Sequence, residues 1–64
     1  MSAKAFQNIF SQIQQQLNSQ PLPTGDLINR LQNVSTDQAW KVLHYLQAEQ
    51  KLTLNAKGEL ELTR

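Results

Sequence analysis

The sequence has no cysteine, only two glycines, two prolines and one histidine. The missing cysteines exclude disulfides, thiolate metal sites and cysteine nucleophiles. One histidine and five scattered carboxylates are too few for a His-rich metal cluster, and two isolated glycines form no Gly-rich phosphate loop. We therefore expect no cofactor, no bound metal and no small-molecule substrate.

Charge of either sign is also scarce, since six basic residues oppose five acidic ones and leave a net charge of +1. Strong binders of duplex DNA usually carry an obvious basic stripe, and the sequence has none. It also lacks an apolar run of about 18 residues and a secretory leader. These absences predict a protein that is not in a membrane, and we expect it in the cytoplasm.

At 64 residues the chain is expected to form a single domain, residues 1–64. A domain of this size buries only about 60% of the surface of its unfolded chain, which leaves no room for a deep catalytic cavity. Ser35, Asp37 and His44 are close in sequence, but on one helix they cannot converge as nucleophile, orienting acid and base. The sequence therefore indicates that the protein is not an enzyme.

Residues 35–51 have the clearest pattern in the chain. Ser35 is a candidate N-cap, and Gln38 lies three residues later, where its amide can reach back to the Ser35 N–H. Apolar residues recur at helical spacing and predict one buried stripe. The stripe consists of Ala39, Val42, Leu43 and Leu46. The opposite, outward side holds Asp37, Lys41, His44 and Ala48.

Two further helices are predicted before this one. Residues 3–18 have one apolar face made of Phe6, Ile9, Phe10, Ile13 and Leu17. Residues 21–23 are predicted to be a short stiff connector, and Thr24 is a candidate N-cap for a second helix of about nine residues. Only about three residues, 32–34, separate that helix from the third, so the two form a helix-turn-helix candidate.

After the third helix the apolar period changes from 3.6 to 2, which predicts two short strands around a turn. Their four leucines share one face only if Leu54 lies opposite Leu60. The same register sets Leu52 opposite Leu62. It leaves a three-residue loop that ends at Gly58, where the left-handed conformation is required.

This order of elements resembles the winged-helix superfamily, and is similar to small modules such as the C-terminal domain of the DNA-processing protein DprA. The resemblance covers nearly the whole chain and is carried by residues 22–24, 27–31, 34–36 and 42–54. In the family a glycine commonly separates the third helix from the first wing strand, whereas Gln50 or Lys51 occupies that position here. The implied fold class is α+β, a three-helix winged helix-turn-helix with a C-terminal two-stranded β-hairpin wing.

The resemblance implies that the third helix enters the major groove of duplex DNA while the wing approaches the backbone or minor groove. Backbone N–H groups and hydroxyls at a helix start suit a phosphate, an amide suits an adenine edge, and a lysine suits guanine or phosphate. The implied nucleic-acid-binding residues are Ser35, Thr36, Gln38, Lys41, His44 and Lys57.

The few cations of the chain predict weak duplex binding. If Lys41, Lys57 and Arg30 each neutralise one phosphate, the logarithm of affinity falls against the logarithm of salt with a slope of about −2.7. Asp37 opposes binding because its carboxylate lies near the end of the helix that would face phosphates. High affinity would therefore require a dimer or a larger assembly.

A second function stays open, that of a winged-helix adaptor that binds a protein partner and not nucleic acid. Trp40 and Tyr45 flank the outer side of the third helix, and aromatic side chains often dominate interface energies. Both also suit the edge of a thin core, so an exposed Trp40 would favour the interface. Phe6 and Phe10 on the first helix give an alternative surface.

Overall fold

A computed structural model describes residues 2–63 of the chain. The elements are α1 (Ala3–Ser19), β1 (Leu22–Pro23), α2 (Thr24–Arg30), α3 (Thr36–Ala48), β2 (Leu52–Leu54) and β3 (Glu59–Leu62). The strands form one antiparallel sheet in the order β1-β3-β2. The predicted α+β class and its three helices are confirmed, whereas the two-stranded hairpin is corrected to a three-stranded sheet.

The third strand comes from the segment that the sequence indicated as a connector. Leu22 pairs with Leu60 and Pro23 with Glu59, so the prediction for residues 21–23 is wrong. Leu22 is 4% exposed, and burial of this one apolar side chain holds the segment against the sheet. The sequence did not indicate this strand, because proline occurs in sheets only at edges, strand ends and bulges and so argues against a strand.

The hairpin of β2 and β3 has the predicted register, with Leu52 opposite Leu62 and Leu54 opposite Leu60. The expectation that all four leucines face the interior fails for Leu54, which is 56% exposed. Leu52 begins β2 on the side near the end of α3 and is buried, whereas Leu54 lies two residues further, next to the turn and beyond the core. Gly58 in that turn has φ +78°, as predicted.

Backbone hydrogen bonds at both ends of the hairpin show which residues of β2 direct their N–H and C=O groups away from β3. The bonds join the Asn55 N–H to the Glu59 C=O (2.9 Å) and the Thr63 N–H to the Lys51 C=O (3.0 Å). Because bonded pairs recur at every second residue of an antiparallel ladder, the backbone groups of Leu52 and Leu54 point away from β3. Leu52 is only 2% exposed, so this edge is open only at Leu54.

The opposite edge of the sheet is β1. The same alternation directs the backbone of Leu60 towards β1, where its partner Leu22 faces it. Pro21 and Pro23 therefore hold the outward positions of β1, and a proline has no N–H to donate. The outer edge of β1 thus presents no hydrogen-bond donor at either position.

The ends of α2 and α3 differ from the sequence pattern in three details. Ser35 caps α3 as predicted, its Oγ accepting from the Gln38 N–H at 3.1 Å, but the reciprocal Gln38 side-chain bond is not formed within residues 2–63. Thr24 is not an N-cap but the first residue of α2, a seven-residue helix whose cap position, Pro23, makes no side-chain cap bond. Gln50, with φ +61°, takes the left-handed conformation that a glycine commonly supplies after such a helix.

The predicted apolar stripe of α3 is confirmed as part of a core built from all six elements. Every residue of the stripe is at most 1% exposed. The core cluster consists of Ile9, Ile13, Leu17, Leu22, Leu27, Val42, Leu43, Leu46, Leu52 and Leu60. Within residues 2–63 no polar or charged residue is buried, so every polar group available for recognition lies at or near the surface.

Candidate functional site

Helix α3 and its N-cap carry five of the six residues that the sequence assigned to DNA, and two of these, Lys41 and His44, lie on the outward side of the helix. Ser35 and Thr36 are exposed at the helix start, and Lys41 and His44 are exposed on the side opposite the core. Gln38 is half-buried. At about 100° per residue it lies on the flank of the helix and not on its outer face.

The charge on this face is balanced. Lys41 Nζ lies 3.4 Å from Asp37 Oδ2, one turn earlier on α3, and the two side chains are 71% and 82% exposed. Such an exposed pair is weak and is readily exchanged for other partners. As it stands, however, it offers an incoming phosphate no net positive charge.

Trp40 and His44 form an exposed pair on the same helix. Their ring centroids lie 5.6 Å apart with the rings inclined at 60°, and Trp40 is 42% exposed. The imidazole thus packs against the indole without covering it. Since an exposed large aromatic residue is typical of an interface, this observation favours a binding role for Trp40.

The remaining predicted cations do not converge on α3. Lys57 is exposed on the turn between β2 and β3, a separate element, where its backbone N–H donates to Asn55 Oδ1 at 2.9 Å. Arg30 is directed to α1, because its Nη1 donates to Gln16 Oε1 at 3.4 Å. Arg30 is exposed, so this weak contact places it towards α1, away from Lys41 and Lys57, but leaves it able to change partner.

The chain matches no protein-family model, no curated protein and no solved structure. Within residues 2–63, no group of three or more His, Asp or Glu side chains is placed to hold a metal ion. In the same part of the chain, no helix combines the length and apolarity needed to cross a bilayer.

A second surface lies where the N-terminal half of α1 meets α3, and we call it the aromatic groove. Phe6, Phe10, Val42 and Tyr45 form its apolar part, and Lys41 lies at its rim. The groove is open to solvent and has a volume of about 690 Å³. Tyr45, which the sequence suggested for a protein interface, is 50% exposed here. The sequence offered Phe6 and Phe10 as an alternative surface, but it did not bring them together with Tyr45.

One polar contact of α1 could not be found by sequence reasoning. The Gln12 side chain donates to the Gln32 C=O at 3.1 Å and accepts from the Gln32 N–H at 2.9 Å. This glutamine therefore fastens α1 to the loop between α2 and α3. The sequence carried no signal for it, since the partners are twenty residues apart and the acceptor and donor are backbone atoms.

Proposed function

We propose that this chain is a small winged helix-turn-helix module that binds duplex DNA weakly, through α3 and the turn between β2 and β3, as a regulator or accessory component of a larger assembly. The observation that carries the proposal is that α3 has an exposed side with the polar residues Asp37, Lys41 and His44, on a helix joined to α2 by a short turn. The order of helices and sheet, and the exposed Lys57 at the hairpin turn, support it.

The start of α3 supplies the backbone groups for a phosphate. Ser35 Oγ occupies the Gln38 N–H, so the first N–H groups of the helix, those of Thr36 and Asp37, are the ones without an intrahelical acceptor. The Asp37 carboxylate beside them repels a phosphate. Lys41 can leave its weak, exposed pair with Asp37 to compensate, but the repulsion and the small number of cations keep the affinity of a single copy low.

The test is an amide-resolved NMR titration of the protein with a random-sequence duplex at low and high salt. We expect shifts at Thr36, Lys41 and Lys57 at low salt that diminish as salt rises. Lys57→Glu should weaken binding, whereas Lys4→Glu, the same charge change on the exposed start of α1, should leave it nearly unchanged. The absence of any response at low salt would exclude duplex binding.

A second candidate function is that of a protein-binding adaptor without affinity for nucleic acid. The exposure of Trp40 and Tyr45, at 42% and 50%, favours it. Two large aromatic side chains left half in solvent are typical of the anchors that bury in partner pockets. Such an adaptor would associate with its partner at high salt, where duplex binding is lost.

A further inference from the structure

We propose that the aromatic groove binds a short peptide segment of a partner protein, one that carries a large apolar side chain next to a carboxylate. The proposal rests on the protein-binding function described above, and it gives that function a surface and a class of ligand. It is independent of duplex binding by the outward side of α3, apart from the shared residue Lys41.

The apolar wall of the groove is formed before any ligand arrives. The Phe6 ring stands edge-to-face against the Tyr45 ring at 5.3 Å and lies 6.2 Å from the Phe10 ring. Because each ring is held by its neighbour, little side-chain ordering is needed when a ligand binds. The volume of about 690 Å³ is within the range of pockets that hold small ligands, so it admits a large side chain and its neighbours.

The charge at the rim selects the ligand. Among the described residues that line the groove, Lys41 is the charged one, and no carboxylate faces the space. The present partner of Lys41, Asp37, is largely exposed, so a ligand carboxylate can replace it at little cost. A segment with glutamate or aspartate beside its apolar anchor is therefore favoured, and one with lysine or arginine is disfavoured.

The extent of the groove favours a short segment over a second copy of the chain. Eight residues line it. A stable dimer uses about 20–30 residues and about 800 Å² on each partner. The groove supplies only a fraction of that, which matches one anchor side chain and its flanking residues.

The test uses four acetylated decapeptides in a two-by-two design, with a Leu-Phe or an Ala-Ala centre and flanking residues that are either glutamate or lysine. Each is titrated to millimolar concentration into the full chain, followed by amide-resolved NMR. We expect the Leu-Phe peptide with glutamate to shift Phe6, Phe10, Lys41 and Tyr45. The lysine version should bind about three- to tenfold more weakly, and the Ala-Ala peptides should cause no shift.

Charge reversal at the rim is the decisive variant, because Lys41 is exposed and its replacement leaves the core intact. Lys41→Glu should reverse the preference, so that the Leu-Phe peptide with lysine binds more tightly. Lys57→Glu, the matched control outside the groove, should leave peptide binding unchanged while it weakens duplex binding.

Several results would overturn the proposal. They are no response to any peptide, equal binding of acidic and basic peptides, or groove shifts that appear on concentrating the protein alone, which would make a second copy the occupant. Shifts confined to Trp40 and His44 would also reject the groove, but they would retain protein binding by the outer side of α3. Loss of the duplex response alone would reject DNA binding and leave the groove proposal intact.

Discussion

The Gln12 side chain holds two distant parts of the chain together through its paired bonds to the Gln32 backbone. We expect Gln12→Ala to lower the free energy of unfolding by about 1–2 kcal/mol, since each hydrogen bond contributes roughly 0.5–1.5 kcal/mol. Gln14→Ala, on the exposed side of the same helix, is the control and should change stability by less than about 0.5 kcal/mol. Urea unfolding of the two variants measures the difference, and equal midpoints would show that the paired bonds add nothing.

The two glycines give a second comparison of single residues. An added Cβ meets nothing within 4 Å at either Gly25 or Gly58, but only Gly58 has a positive φ, of +78°. We expect Gly58→Ala to destabilise by about 1 kcal/mol or more through backbone strain alone. Gly25→Ala, in α2, should stabilise by up to about 1 kcal/mol. Thermal unfolding followed by circular dichroism distinguishes them, and a common sign for both changes would contradict this reasoning.

At the scale of elements, the cross-strand pair of Leu54 and Leu60 shows that two residues in register can differ in burial. The two residues face each other, yet Leu60 is 1% exposed and Leu54 is 56% exposed. We expect Leu60→Ala to cost about 2–5 kcal/mol, a large part of the stability of a small domain, and Leu54→Ala to cost less than about 1 kcal/mol. Denaturant midpoints check this, and similar losses would mean that the turn end of the hairpin is buried in solution.

Helix α3 and the hairpin register could be predicted because each follows from a local period. Ser35 and the 3.6-residue spacing define α3, and the parity of four leucines permits one register. β1 could not be found in this way, since a two-residue strand has no period and Pro23 argues against one. The left-handed Gln50 replaced an expected glycine, which composition alone does not reveal.

For the whole molecule, the exposure of most of the candidate residues was predictable, but the charge pairing around them was not. The exposed side of α3 follows from helical period, whereas the Asp37–Lys41 pair and the contact of Arg30 with Gln16 depend on side-chain positions. The aromatic groove depends on how α1 crosses α3, a long-range arrangement that no local pattern encodes.

The contact of Arg30 with Gln16 bears on the salt dependence expected for duplex binding. If Arg30 keeps that contact, Lys41 and Lys57 neutralise about two phosphates and we expect a slope of about −1.8; if Arg30 also turns to the DNA, we expect about −2.7. Fluorescence anisotropy of a labelled duplex across a salt series measures it. A slope much steeper than either value would mean that several copies bind together, or that the basic residues used lie elsewhere.

The two edges of the sheet also affect how readily this protein aggregates at high concentration. Continued strand pairing from one molecule to the next requires an open edge strand on both sides of the sheet in each molecule. Prolines at positions 21 and 23 leave the β1 edge without N–H donors at its outward positions. Burial of Leu52 leaves Leu54 as the open residue of the β2 edge. While the fold holds, we therefore expect fibre growth by edge-to-edge strand pairing to be disfavoured.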